Sequence, residues 1–229
     1  MSNNLLNQQR DENGDRHPDH AEPAGAGDGC GQRAAGDADP IVMEAGAGTG
    51  YYLAHTLDLI EGARGVGLDV SVPAAKHLAK SHPRVGAVVA DVWEQLPIRT
   101  GSVHALAVVF APRNPAEFAR VLVDGGEAVM LVADQGHLDE LREPLGILGV
   151  EDGKIERLVA QSAGHLAPAA DPELIEFPMQ LGRDAIAAQV GMSPSARHLD
   201  PEVLQARLAE LPQQMEVTAR AQLVRMRKA

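Results

Sequence analysis

The chain has 229 residues, 45% of them hydrophobic, enough for one substantial domain and short for two. Its 32 acids outnumber 20 Lys and Arg for a net charge of −12, and only 3% of residues are aromatic, which argues against a generic polyanion binder and against a reader that stacks bases on exposed rings. The single cysteine, Cys30, excludes an internal disulfide and a multi-cysteine zinc site, and no apolar run reaches transmembrane length, so a soluble cytoplasmic protein with no metal and no membrane partner is expected.

Residues 1–39 form a segment of their own. Beyond Leu5 and Leu6 they hold no large aliphatic residue after Met1, and eight acids face three arginines. Such a stretch buries too little apolar surface to offset the entropy of ordering it, so it reads as disordered. A metal-binding arm built on Cys30, His17 and His20 fits no standard zinc spacing.

From Pro40 to Ala229 the composition is that of a folded domain, with strand-like and helix-like runs alternating as in a mostly parallel sheet. Strands are predicted at 40–44, 64–70, 85–90 and 103–110, the last a near-continuous apolar run of the kind buried on both faces. Helices are predicted at 51–61, after a Ser71 cap, and at 114–122. A Gly125–Gly126 turn precedes a strand at 127–133. Helices at 137–148 and 154–162, a strand at 174–181, helices at 184–190 and 201–211, and a closing strand at 215–227 complete the order.

The informative loop is Glu44-Ala45-Gly46-Ala47-Gly48-Thr49-Gly50, between a strand and a helix. Glycines there let the backbone turn sharply and approach a ligand closely. The spacing G-x-G-x-G is neither the dinucleotide fingerprint nor a phosphate-binding P-loop. Two further strand ends supply partners. Asp69 ends the second strand and can accept both hydroxyls of a ribose. Asp91 ends the third and can accept from an adenine amino group, with Val92 against the ring. Singly, each is explained by a turn or a strand end. In register along one sheet edge, the three point to S-adenosylmethionine.

The chain resembles the bacterial 23S rRNA guanine-N1 methyltransferases, which include macrolide-resistance members. The resemblance spans about residues 41–225. It rests on the glycine loop through Tyr52, Gly67-Leu-Asp-Val-Ser71, Ala90-Asp-Val-Trp-Glu-Gln-Leu-Pro97, Phe110-Ala-Pro-Arg-Asn114, Asp134-Gln-Gly-His-Leu-Asp-Glu-Leu141 and Met192-Ser-Pro194. It implies a class I, Rossmann-like methyltransferase fold with a seven-stranded, mostly parallel sheet and an antiparallel strand near the C-terminus. It implies methyl transfer from S-adenosylmethionine to guanine N1 of 23S rRNA, and cofactor contacts at Gly48, Thr49 and His137. From spacing alone His137 would be a residue at a helix start.

The chain departs from the family in places. Residues 1–39 do not match the family's N-terminal zinc module, and no Gly-His-Tyr segment precedes the first strand. Glu44 stands where Asp is more usual, and Ser195-Ala196-Arg197-His198 stands where an aromatic is expected.

For catalysis, Arg113 or Asn114 is the candidate to orient the target base, and Phe110 or Pro112 the candidate to pack near the methyl group. Equally, Asn114-Pro115 can simply start a helix. No general base is named. Arg183, Arg197, His198, Arg220, Arg225, Arg227 and Lys228 form either an RNA-facing patch or an ordinary solvated surface. A small-molecule methyltransferase and a catalytically impaired relative are the alternative readings, and a homodimer is left open.

Overall fold

The computed structural model describes residues 39–193 and 199–229. The expected disorder of the N-terminal segment, apart from Asp39, and the expectations for Pro194 and residues 195–198 therefore lie outside the described residues.

Strands β1 (Ile41–Ala45), β2 (Arg64–Asp69), β3 (Val85–Val89), β4 (Val103–Val109) and β5 (Leu122–Ala133) run parallel, with β1 in the middle between β2 and β4. β8 (Gln214–Lys228) pairs antiparallel with β5. The order across the sheet is β3-β2-β1-β4-β5-β8-β6, with β7 also on β8. β6 (Leu166–Pro168) and β7 (Glu173–Gly182) both pair antiparallel with β8, along the edge that β5 leaves open. They are two stretches of one edge strand, so the eight segments keep the architecture expected of seven strands. β6 itself was not foreseen, because three residues carry no periodicity.

Helices cover both faces. α1 (Tyr51–Leu59) and α2 (Val72–Leu78) close one face over Val42, Leu53, Leu57 and Leu78. Ser71 caps α2 by accepting the Ala74 N–H, as its place before Val72-Pro73 suggests. α3 (Pro115–Val121) and α5 (Lys154–Ser162) close the other face over the largest cluster, with Phe118, Met43, Leu106 and Met130 at its centre. A third cluster packs α4 (Arg142–Leu145), α6 (Arg183–Met192) and α7 (Pro201–Glu210) around Val217 of β8.

Two expectations are corrected. The helix at 137–148 is only a short 3-10 turn at Asp139–Leu141 followed by the four-residue α4. Leu138 is held at φ 54° and Gly146 at φ 67°, and the Leu138 N–H donates to Thr218 of β8 instead of to its own helix. Pairing with a distant strand overrides the local pattern. The Gly125–Gly126 turn is absorbed into β5 as an irregularity: β5 begins at Leu122, and the register against β4 shifts between Val103 and Ala105.

Candidate functional site

Because β1 to β5 are parallel, their carboxyl ends line one edge, and the site is built there. The loop after β1 turns on three glycines with positive φ, Gly46 at 70°, Gly48 at 55° and Gly50 at 89°. It folds back onto β2: the Ala47 N–H donates to the Leu68 carbonyl at 2.9 Å. The Asp69 carboxylate then joins the two strand ends, one oxygen accepting the Gly48 N–H and the other the Ser71 N–H, each at 2.8 Å.

The glycines have different reasons to be glycine. A Cβ at Gly46 would stand 2.5 Å from the Ala111 Cβ, so Gly46 lets the segment after β4 pack closely. A Cβ at Gly48 would meet nothing within 4 Å. Gly48 faces open space beside an acid, a cradle that a ligand can fill. Thr49 beside it is exposed.

Glu44 is different again. It is 1% exposed, and its carboxylate accepts the Leu53 N–H at 3.0 Å, bracing the first turn of α1 from within the protein. Burial pushes its pKa up to about 7.

Asp91 lies exposed after β3 and accepts the Trp93 N–H at 3.0 Å, while Val92 packs against the main core. This loop is gripped from α3. Asn114 accepts the Glu117 N–H as the helix cap, and its amide donates to the Val92 carbonyl at 3.1 Å. Glu117 accepts the Leu96 N–H at 2.7 Å, and Arg120, ion-paired to Glu117, donates to the carbonyls of Leu96 and Ile98. Both ends of the Asn114 side chain are thus engaged within the protein, which supports the helix-start reading and leaves Arg113 as the candidate with a free side chain.

Beyond β4, Phe110 sits at φ 50°, strained for a bulky residue, with its ring exposed. Its ring centroid lies 5.5 Å from that of His137. The His137 Nδ1 accepts the Arg220 backbone N–H at 3.1 Å, so the neutral ring carries its proton on Nε2. Burial lowers the His137 pKa and favours that neutral form. Arg220 ties the same loop down through Asp134 at 3.1 Å and also contacts Glu176.

The C-terminal basic residues are largely engaged. Arg183 donates to the carbonyls of Leu211 and Pro212, Arg225 pairs with Glu127 at 2.7 Å, and Lys228 pairs with Asp124 at 2.9 Å. Arg197 and His198 lie outside the described residues. The solvated-surface reading suits the described part.

The chain is 44% identical to the 23S rRNA (guanine(748)-N(1))-methyltransferase of Streptomyces fradiae over 191 residues, 83% of this chain and 68% of the relative. It is 42% identical over 201 residues to a protein of Micromonospora griseorubida provisionally named 23S rRNA (guanine-N(1)-)-methyltransferase, 88% of this chain and 67% of the relative. The chain belongs to the 23S rRNA guanine-N1 methyltransferase family. It is therefore an S-adenosylmethionine-dependent methyltransferase, and the glycine loop and acids described above lie within the family match. No family model matches the chain.

Solved structures agree on the fold. The YcgJ protein of Bacillus subtilis superimposes with a TM-score of 0.54 at 16% identity, over 83% of this chain and 92% of that one. A geranyl diphosphate C-methyltransferase of Streptomyces coelicolor, solved with S-adenosyl-L-homocysteine, gives 0.51 at 14% identity, over 84% of this chain and 73% of that one. Among the described residues, no helix is long and apolar enough to cross a membrane.

Proposed function

We propose that the domain from Pro40 to Ala229 transfers a methyl group from S-adenosylmethionine to N1 of a guanine in 23S rRNA. The observation that carries this reading is the open cradle at Gly48, braced by Asp69, in a chain more than 40% identical to enzymes named for that reaction.

The residues suit the cofactor. Gly46, Gly48, Thr49 and Gly50 provide close backbone approach, Asp69 an acceptor for ribose hydroxyls, Asp91 and Val92 an adenine contact, and His137 a further contact through Nε2–H. Glu44 supports the loop from behind. S-adenosylmethionine supplies an electrophilic methyl group on a sulfonium.

The chain's own residues contribute positioning and exclusion of water. Asn114, Glu117 and Arg120 fix the loop carrying Asp91 and Val92. Phe110 offers an exposed face beside His137 on which a base can stack, next to Arg113.

The test is methyl transfer from labelled S-adenosylmethionine to 23S rRNA fragments, with the product mapped as a block to reverse transcription, since N1 methylation removes a Watson–Crick donor. Transfer to one hairpin guanine is the expected result. Cofactor binding with no transfer to rRNA favours a small-molecule acceptor instead.

A further inference from the structure

Among the described residues, the half-buried cations Arg84, Arg120, Arg183, Arg207, Arg220 and Lys228 each donate a hydrogen bond within the protein. Arg113 and Lys154 are half-buried too, and neither has a hydrogen bond or ion pair there. Lys154 also opens α5, where the positive end of the helix dipole disfavours a cation. Its ammonium pKa is lowered, first by burial and then by the charge of Arg113, with Arg157 acting in the same sense and Glu151 opposing. Three unfavourable features at one residue are a strain on the fold that a bound negative oxygen relieves.

The place is specific. α5 packs against α3, which follows Arg113. Lys154 lines a cavity of about 250 Å³ at the carboxyl end of β5 with Ala133, Gln135 and three acids, Asp134, Glu151 and Glu156, of which Asp134 is paired with Arg220 and Glu151 with Arg157. Its charge reaches His137, which lies against the exposed Phe110 ring. This is the edge of the sheet beside the Gly48 cradle, where the proposed cofactor contacts lie after β1 to β3 and at His137.

We propose that Lys154, with Arg113 beside it, binds O6 of the guanine that accepts the methyl group. The assignment rests on the rRNA reading above. As guanine N1 gives its proton to water and its lone pair takes the methyl carbon, the C–S electron pair stays on sulfur. The negative charge released on the base meanwhile resides largely on O6. A cation held in a half-buried site, away from full water screening, stabilises that oxygen more than an exposed one does. Half-burial at a cavity wall favours a base oxygen over a backbone phosphate, which an RNA hairpin carries on its outside.

The test uses the full chain, first mapping the methylated guanine with the unaltered protein. Lys154→Gln is expected to lower kcat about a hundredfold while S-adenosylhomocysteine affinity holds and the melting temperature rises as the strained charge is removed, with Lys154→Arg restoring part of the rate. The pH profile of kcat is expected to change in Lys154→Gln, with Arg113, His137, Asp134, Glu151, Glu156 and Arg157 as the charged neighbours left in place. A second readout is independent of turnover. Hairpin affinity is measured with S-adenosylhomocysteine bound, using RNA with the target guanine or with 2-aminopurine, which lacks O6. Loss of O6 and loss of Lys154 are expected to overlap rather than add. Additive losses overturn the assignment, as does an unchanged kcat with weaker, less salt-dependent RNA binding, the mark of a phosphate contact. An unaltered chain that binds S-adenosylhomocysteine and leaves rRNA unmethylated overturns the rRNA reading itself, and the subsite with it.

Discussion

The carboxylate of Asp69 holds the backbone N–H of Gly48 at 2.8 Å across 21 residues of sequence, joining the end of β2 to the loop after β1. The same group accepts from Ser71, which caps α2. Asp69→Asn keeps the shape but removes the charge and puts an NH2 where one N–H must be accepted. A charge-assisted hydrogen bond contributes about 1.5–3 kcal/mol, so S-adenosylhomocysteine affinity is expected to fall about tenfold to a hundredfold by calorimetry. Unchanged affinity would remove Asp69 from the cofactor site.

Gly46 and Gly48 differ in their surroundings: a Cβ at Gly46 would meet Ala111, and one at Gly48 would meet nothing within 4 Å. Both have positive φ, so alanine at either strains the backbone by about 1 kcal/mol, or about 2–4 °C in melting temperature. At Gly46 the new methyl also meets Ala111, and the larger loss of stability is expected there. At Gly48 the methyl enters open space, so Gly48→Ala is expected to show only the backbone cost, melting about 2–4 °C below the unaltered chain, yet bind S-adenosylhomocysteine at least about tenfold more weakly. Equal binding losses at the two positions would mean that Gly48 does not face the ligand.

Much of this site was legible in the sequence because its parts are local. A buried strand shows as an apolar run, a tight loop as glycines, and an acid at a strand end as the residue after that run. The β4 run and the Ser71 cap became β4 and the start of α2 for those reasons. What was not legible depends on contacts between distant residues. The 134–141 loop follows β8 rather than its own helical pattern, through contacts such as His137 with Arg220, 83 residues apart. Lys154 looked like an ordinary helix residue. The one local sign, a basic residue at a helix start, is weak without the burial and the absent partner.

Asn114 links two parts of the site. Its carbonyl oxygen caps α3 and its amide holds the Val92 carbonyl. Asn114→Asp keeps the cap and loses the amide donor, leaving a carboxylate against a carbonyl. The expected outcome is a KM for S-adenosylmethionine raised about tenfold, stability lowered by about 1 kcal/mol for the lost hydrogen bond, and an unchanged KM for RNA. Asn114→Ala also loses the cap and is expected to destabilise by about 1 kcal/mol more. If Asn114→Asp raises only the KM for RNA, Asn114 contacts the target base after all.

Glu44 carries a pH dependence with a definite sign. Its pKa rises from 4.5 to about 7 because burial disfavours the charged form, so between those values the folded state binds more protons than the unfolded one. Stability therefore falls as pH rises through that window: the penalty is absent below pH 4.5 and complete above about pH 7. Its full size is on the order of 3 kcal/mol. In Glu44→Gln an amide oxygen still accepts the Leu53 N–H, and nothing ionises. Urea titrations at a series of pH values are expected to show the variant equal to the unaltered chain near pH 4.5 and more stable by up to about 3 kcal/mol at pH 8. Parallel stability curves for the two proteins would mean that the Glu44 carboxylate ionises in the fold as easily as in the unfolded chain, and that a cation or further donors meet it there.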